Sequence, residues 1–321
     1  MKKKLTKIFI SILCIILVGF CGMSYYIGTQ VFEGSTQLVT CEDTSQVKET
    51  FWTKYGIDYQ TFCNTYQIEK IELTSTFDGH TIPADYIYAA GNENDKNNPT
   101  VIMVHGLGGN RYTNYPIAEI FLEKGYNVLT YDQRSSNENT ARYTTFGYWE
   151  RYDLTDYITY IYDLAPDKVI GVWGASFGGA TAGLAMEDKE VEEKIDFLIL
   201  DCPVSSMKWM VEEELRNMDI GLPISYMLFC GNVLNKWKLG FGYEDANVCQ
   251  TISNVEIPVL VINSKIDTVT PQFMGQDIYD AIASSKKMIW TVDDSEHTDM
   301  WLDHNPEYRE HVDEVLRELD H

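Results

Sequence analysis

With 321 residues, 45% of them hydrophobic and 23% charged, the chain can bury a large core, which excludes a disordered polypeptide and a small disulfide-stapled module. Its 25 basic and 48 acidic residues give a formal net charge of −23. Four of the basic residues lie in the first seven positions, which leaves 21 basic against 48 acidic residues, or −27, for the rest of the chain. A nucleic-acid partner is excluded, because phosphate binding needs a basic footprint, and the acidic surface is read as a solubility device.

Lys2, Lys3, Lys4 and Lys7 precede Ile8 to Ile27, a run of 20 residues without a charge. A helix of that length spans about 30 Å, enough to cross a bilayer, and the lysines hold its start on the cytoplasmic side. Residues 1–30 are therefore read as a transmembrane signal anchor that places the rest outside the cytoplasm. A signal peptide cut near Gly22-Met23-Ser24 would instead release a secreted protein. Lipidation of Cys21 is a third reading, weakened by the bulk of Phe20 before it.

Residues 31–65 read as a stalk leading into an N-terminal helix. Ile68 to Ser75 and Thr81 to Ala89 are predicted strands joined at Asp78-Gly79, followed by a polar loop from Gly91 to Pro99. Then comes a strand and helix alternation: strand Thr100 to Val104, helix Tyr112 to Lys124, strand Asn127 to Tyr131, helix Glu150 to Leu164, strand Lys168 to Trp173, helix Ser176 to Met186, strand Phe197 to Asp201. This pattern predicts an α/β domain over 66–321, its mostly parallel sheet covered by helices on both faces. The rhythm breaks over about 203–256, where Trp209, Met210, Met227 and Trp237 lie among glycines and prolines, and a helical cap or lid is expected there. Strand Pro258 to Asn263, helix Pro271 to Ala283, strand Lys287 to Thr291 and helix Pro306 to Leu319 complete the domain.

Two of the seven cysteines fall in the apolar segment. Cys41, Cys63, Cys202, Cys230 and Cys249 have no zinc spacing and no disulfide framework. Cys230 with Cys249 is the one pair considered for a bridge in an oxidising compartment, with buried thiols as the preferred state. No cofactor or metal is expected.

Gly174-Ala175-Ser176-Phe177-Gly178 lies between an apolar strand and a small-residue helix. Such a turn exposes a serine, while the glycines avoid clashes beneath it. A serine hydroxyl needs a base to act as a nucleophile. His297, after the strand Lys287 to Thr291, is the expected general base and acid; His304, His311 and His321 fit surface or terminal roles. Asp267 follows another strand and is expected to fix the imidazole tautomer, with Asp201 in reserve. The oxyanion donors are expected to be the amides of Phe177 and of Leu107, in the turn His105-Gly106-Leu107-Gly108-Gly109. That turn lacks the lysine of a phosphate loop, so nucleotide binding is not expected. His105 is expected to hold the turn in shape.

From Ile68 onward the chain resembles the α/β-hydrolase superfamily, in particular bacterial membrane-anchored or exported esterase- and peptidase-like proteins akin to dienelactone hydrolases. The resemblance rests on the 105–109 turn, Tyr131-Asp132-Gln133-Arg134, the 174–179 turn, the run Ser264 to Pro271 and Ser295-Glu296-His297. It implies Ser176, Asp267 and His297 as nucleophile, acid and base. Relatives often carry a glycine after the residue matching Arg134, where this chain has Ser135-Ser136. The function expected is a carboxylesterase acting through an acyl-serine intermediate on apolar or aromatic acyl substrates. The alternatives are a peptidase-like amide hydrolase, a thioesterase, an acyltransferase, or a non-catalytic surface binding module. The partners expected are a small ester or short peptide and the membrane.

Overall fold

Ile68–Thr74 (β1) and Thr81–Ile87 (β2) pair antiparallel, with Ile68 opposite Ile87 and Thr74 opposite Thr81. Glu69, Lys70 and Glu72 give β1 the charged character that protects a sheet edge. Thr100–Val104 (β3), Asn127–Tyr131 (β4), Ile170–Ala175 (β5), Phe197–Asp201 (β6) and Val259–Ser264 (β7) are buried along their whole length. Strands without a polar face require cover on both sides. Lys287–Val292 (β8) closes the other edge, with Trp290 packed against Tyr308 and His311 of the last long helix, Asn305–Arg317.

This is a computed structural model, which describes residues 2–56, 58–91 and 94–320. Part of the expected 91–99 loop and terminal His321 therefore lie outside the described residues. The eight strands form one sheet in the order β1-β2-β4-β3-β5-β6-β7-β8. β1, β2 and β4 pair antiparallel, and every other neighbouring pair is parallel. The fold is α/β, with a mostly parallel sheet flanked by helices and an inserted helical subdomain.

β5 runs two residues further than predicted, so it ends immediately before Ser176. The predicted helix at Tyr112 opens instead as a 3-10 turn, Arg111–Asn114, before the α-helix Tyr115–Leu122. Asn110 caps the turn through the Tyr112 amide, and Pro116 occupies the first turn of the helix, where a missing N–H costs nothing.

The described residues divide into two compact units, Met1–Leu38 with Met207–Asp245 and Val39–Ser206 with Ala246–His321. The first holds the helices Lys2–Thr36, Met207–Asn217 and Ile224–Leu239. Among the described residues, one helix, at the N-terminus, is long and apolar enough to cross a membrane, and none of its apolar window is buried. The second unit holds the sheet together with three short helices, Cys41–Ser45, Val47–Lys54 and Tyr59–Thr65. Trp52 and Phe62 of these helices enter the core edge-to-face and stacked on Tyr115. All seven cysteines are free, so the bridge considered between Cys230 and Cys249 does not form.

One buried charge network ties β2, β4 and the 3-10 turn together. Arg111, only 1% exposed, donates to Asp85 at 3.0 Å and to Asp132, while Tyr115 donates to Asp85 at 2.7 Å. Replacing Arg111→Met should strand two buried carboxylates and cost about 3–5 kcal/mol of stability, read by urea denaturation.

Candidate functional site

The C-terminal ends of parallel strands are where open α/β sheets gather their ligands. Here His105 directly follows β3, Ser176 follows β5 and Cys202 follows β6, Asp267 lies just beyond β7, and the loop after β8 carries His297. All belong to the unit that contains the sheet.

Ser176 has φ 54° and ψ −116°, in left-handed space that side chains rarely adopt. The turn survives because its neighbours have no side chains. A Cβ on Gly178 would lie 2.1 Å from the Val104 carbonyl oxygen, and one on Gly174 2.4 Å from the Gly178 carbonyl oxygen. Ser176 is further held by its own amide, which donates to the Asp201 carbonyl at 2.8 Å.

The glycine-rich turn after β3 passes close to this elbow, since a Cβ on Gly106 would be 3.4 Å from that of Ser176. His105 Nε2 accepts the Gln133 amide at 2.9 Å, so Nδ1 carries the proton and donates to the Gly106 carbonyl at 2.7 Å. Burial lowers the ring to about 4 and keeps it neutral. Gln133 also donates to the His105 carbonyl and accepts from Thr181, locking the turn to the helix Phe177–Ala185. Neither the Leu107 nor the Phe177 amide is used by another group among the described hydrogen bonds. Ser135, where relatives often have glycine, sits at φ 60° and donates from its hydroxyl to the Ala141 carbonyl at 2.6 Å.

His297 Nδ1 lies 2.6 Å from Asp267 Oδ2. Asp267 also accepts the amides of Val269 and Thr270 at 2.8 and 2.9 Å. Burial pushes this carboxyl up, but the hydrogen bonds and the charge of His297 prevail and hold it below the usual carboxylate range. The His297 loop is tied to the end of β7 by Ser264, which donates to the Ser295 carbonyl at 2.5 Å. Thr270 Oγ1 stands 3.0 Å from the Cys202 carbonyl and 3.2 Å from His297 Nδ1.

The third group gathered around this pair is Cys202. The sulfur, the carboxylate and an imidazole nitrogen of Cys202, Asp267 and His297 lie within 4.8 Å of one another. Among the described residues, no hydrogen bond joins Ser176 Oγ to His297. The expectation of a serine esterase built on a Ser-His-Asp triad is therefore corrected. The catalytic-type cluster is Cys202-His297-Asp267, and ester cleavage through an acyl-serine is not supported. The Cys202 thiol is 2% exposed and 3.8 Å from the Met300 sulfur. Burial and the neighbouring Asp201 and Asp267 charges raise its pKa well above that of a free thiol, so it is protonated. The same three residues could converge on a metal ion, but Asp267 Oδ2 and His297 Nδ1 are already spent on each other.

Sequence reasoning missed Cys202 because no motif marks it. Its one signal was its place beyond the end of a buried parallel strand. Asp201, the reserve acid, faces elsewhere and accepts from Tyr308 at 2.9 Å, while Tyr308 accepts from Trp173 at 2.9 Å.

Ser176, Leu107 and His297 line one cleft of about 150 Å³. A space of that size takes a benzene-sized group. Its apolar walls come from Phe51, Tyr55, Ile117, Trp173 and Trp301. Phe51 stands on a short helix of weak periodicity and Tyr55 directly follows it, and nothing in the sequence pointed to them.

The model of the α/β hydrolase fold matches residues 99–223. Together with the sheet order, this gives the chain the α/β-hydrolase fold. It is similar to the uncharacterized protein YqkD of Bacillus subtilis, 27% identical over 218 residues covering 68% of this chain and 70% of that one. It is also similar to the lysophosphatidylserine lipase ABHD12 of Rattus norvegicus, 23% identical over 240 residues covering 70% of this chain and 57% of that one. The esterase Pf2001 of Pyrococcus furiosus shares the fold, with a TM-score of 0.63 and 22% identity over 81% of this chain and 94% of that one.

Asp201 provides a pH test. Its carboxyl is fully buried, and burial pushes it up to about 7 although the Tyr308 hydrogen bond favours the charged form. An unfolded aspartate titrates near 4, so the folded chain holds a proton that the unfolded chain releases, and stability should fall as pH rises from about 4 to 7. Asp201→Asn should flatten that part of the curve of denaturation midpoint against pH.

Proposed function

We propose that the chain is a membrane-anchored acyl hydrolase whose scissile bond is an amide or thioester, acting on a small apolar substrate. The observation that carries this reading is the 2.6 Å Asp267–His297 pair beside an aromatic-walled cleft. With Nδ1 committed to Asp267, the imidazole keeps Nε2 to take a proton from a water attacking the carbonyl and pass it to the leaving amine or thiol as the C–N or C–S bond breaks. Ser176 and the amides of Leu107 and Phe177 are assigned to the cleft wall where the substrate carbonyl rests, the two N–H groups facing its oxygen. Cys202, buried and protonated, is assigned a positioning role beneath Asp267 and His297.

Two further observations support parts of this reading. The relative named a lysophosphatidylserine lipase is consistent with an apolar acyl group in the substrate. The lysine-preceded, uncharged run within the helix Lys2–Thr36 supports an anchor with the hydrolase unit on the extracytoplasmic side.

Turnover of p-nitroanilides, thioesters and p-nitrophenyl esters of matched acyl groups tests the bond class, and ester turnover far above the other two would overturn it. His297→Ala and Asp267→Asn should each lower turnover by roughly 10³-fold or more. Ser176→Ala, a change in the cleft wall, should lower turnover by less than about tenfold, and a loss equal to that of His297→Ala would make Ser176 a reacting group. A positioning thiol should lose less than about tenfold in Cys202→Ala, so a loss equal to that of His297→Ala would make Cys202 a reacting group.

A further inference from the structure

The helix Ile224–Leu239 runs beside the outer half of the N-terminal helix and in the same direction. Tyr226 stacks on Phe20 with ring centroids 5.9 Å apart and shares a 2.6 Å hydrogen bond with Ser24. Further along, a Cβ on Gly28 would lie 2.7 Å from the Cys230 carbonyl oxygen, and one on Gly231 2.4 Å from a Val31 methyl. Lys238 Nζ sits 4.3 Å from the Phe32 ring centroid, and Ser35 and Tyr243 share a 3.1 Å hydrogen bond. Close approach at glycines with a serine-to-tyrosine hydrogen bond is a mode of helix pairing suited to lipid.

These pairings fix a depth. Tyr226 is level with Phe20 and Ser24, which lie three to seven residues inside the end of the uncharged run at Ile27. At about 1.5 Å per residue that is roughly 5–10 Å on the lipid side of the boundary. The segment 217–223 leads into this helix at that end, after the charged turn Glu212 to Arg216. It exposes Met218, Ile220 and Leu222 and has Asp219 as its one charge. From there a stripe at four-residue spacing climbs the open side of the helix, with Phe229 65%, Val233 48% and Trp237 73% exposed. Trp237 lies between Lys236 and Lys238, about five residues beyond the level of Ile27, where an indole and cations meet lipid headgroups.

We propose that the helical insertion is itself a membrane-seated element: residues 218–226 and the Phe229, Val233, Trp237 stripe enter the outer leaflet of a phospholipid bilayer beside the N-terminal helix. The occupant is lipid because the patch, with Asp219 as its one charge, continues from a helix face that a bilayer would already cover. The inference rests on the anchor reading above.

The test uses the full chain in phosphatidylcholine and phosphatidylglycerol vesicles. The photoreactive p-benzoylphenylalanine replaces Phe229 or, separately, Ile220, with Leu164 of the hydrolase unit as the control. Lipid adducts at 220 and 229 should exceed those at 164 by about tenfold, as expected for residues sunk into the headgroup and acyl boundary. Alkaline carbonate extraction is run alongside. Retention of the chain with adducts no greater than at 164, or with cross-links to a second copy of the chain instead, overturns the inference and leaves the anchor standing. Release of the unmodified chain by carbonate overturns the anchor and the inference together.

Discussion

The rest of the site depends on how closely the helix Phe177–Ala185 approaches the ends of β3 and β5. With a hypothetical Cβ on Gly178 only 2.1 Å from the Val104 carbonyl oxygen, no side chain fits at that position. The approach lets the chain reverse at Ser176 in a left-handed conformation and brings the turn after β3 alongside. Without it, the Leu107 amide and the Ser176 side chain could not share a cleft. Gly179 extends the constraint, since a Cβ there would meet Pro203 at 2.9 Å, next to the Cys202 bend at φ 47°.

Around this packed point, buried polar groups replace loop flexibility with fixed geometry. Gln133 holds both the ring and the carbonyl of His105, and Arg111 pins the following turn to Asp85 and Asp132. Such networks stiffen a structure when satisfied and are costly when broken. The His297 loop is held from several elements at once, by Ser264 at the end of β7, by Asp267 and Thr270, and by Lys54 and Tyr55 on Asp299.

How much of this was legible in the sequence follows from how local each feature is. The turn at Ser176 is a five-residue motif between a strand and a helix, and its steric logic can be read without tertiary contacts. Asp267 and His297 lie 30 residues apart, yet each follows an apolar strand, and strand order alone brings those two loops together. Cys202 was missed because its place beside Asp267 depends on a bend after β6 that no glycine announces. The cleft walls Phe51 and Tyr55 were missed because the helix that carries the first and is followed by the second, Val47–Lys54, is only 8 residues long and shows little amphipathic pattern. The serine-based ester mechanism failed for a related reason: a motif specifies a turn, not which neighbour finally comes to rest beside the histidine.

The unit that includes the N-terminal helix is discontinuous in sequence. Ser24 and Tyr226, which join two of its helices, are 202 positions apart. At ribosomal rates of about 5–20 residues per second, roughly 10–40 s separate the synthesis of one partner from the other. Throughout that interval the groove at Gly28 has no occupant from its own chain, while the strands through β6 are already available to pair. The order of assembly is thus written into the chain: the unit that begins first is completed only after most of the sheet has been made.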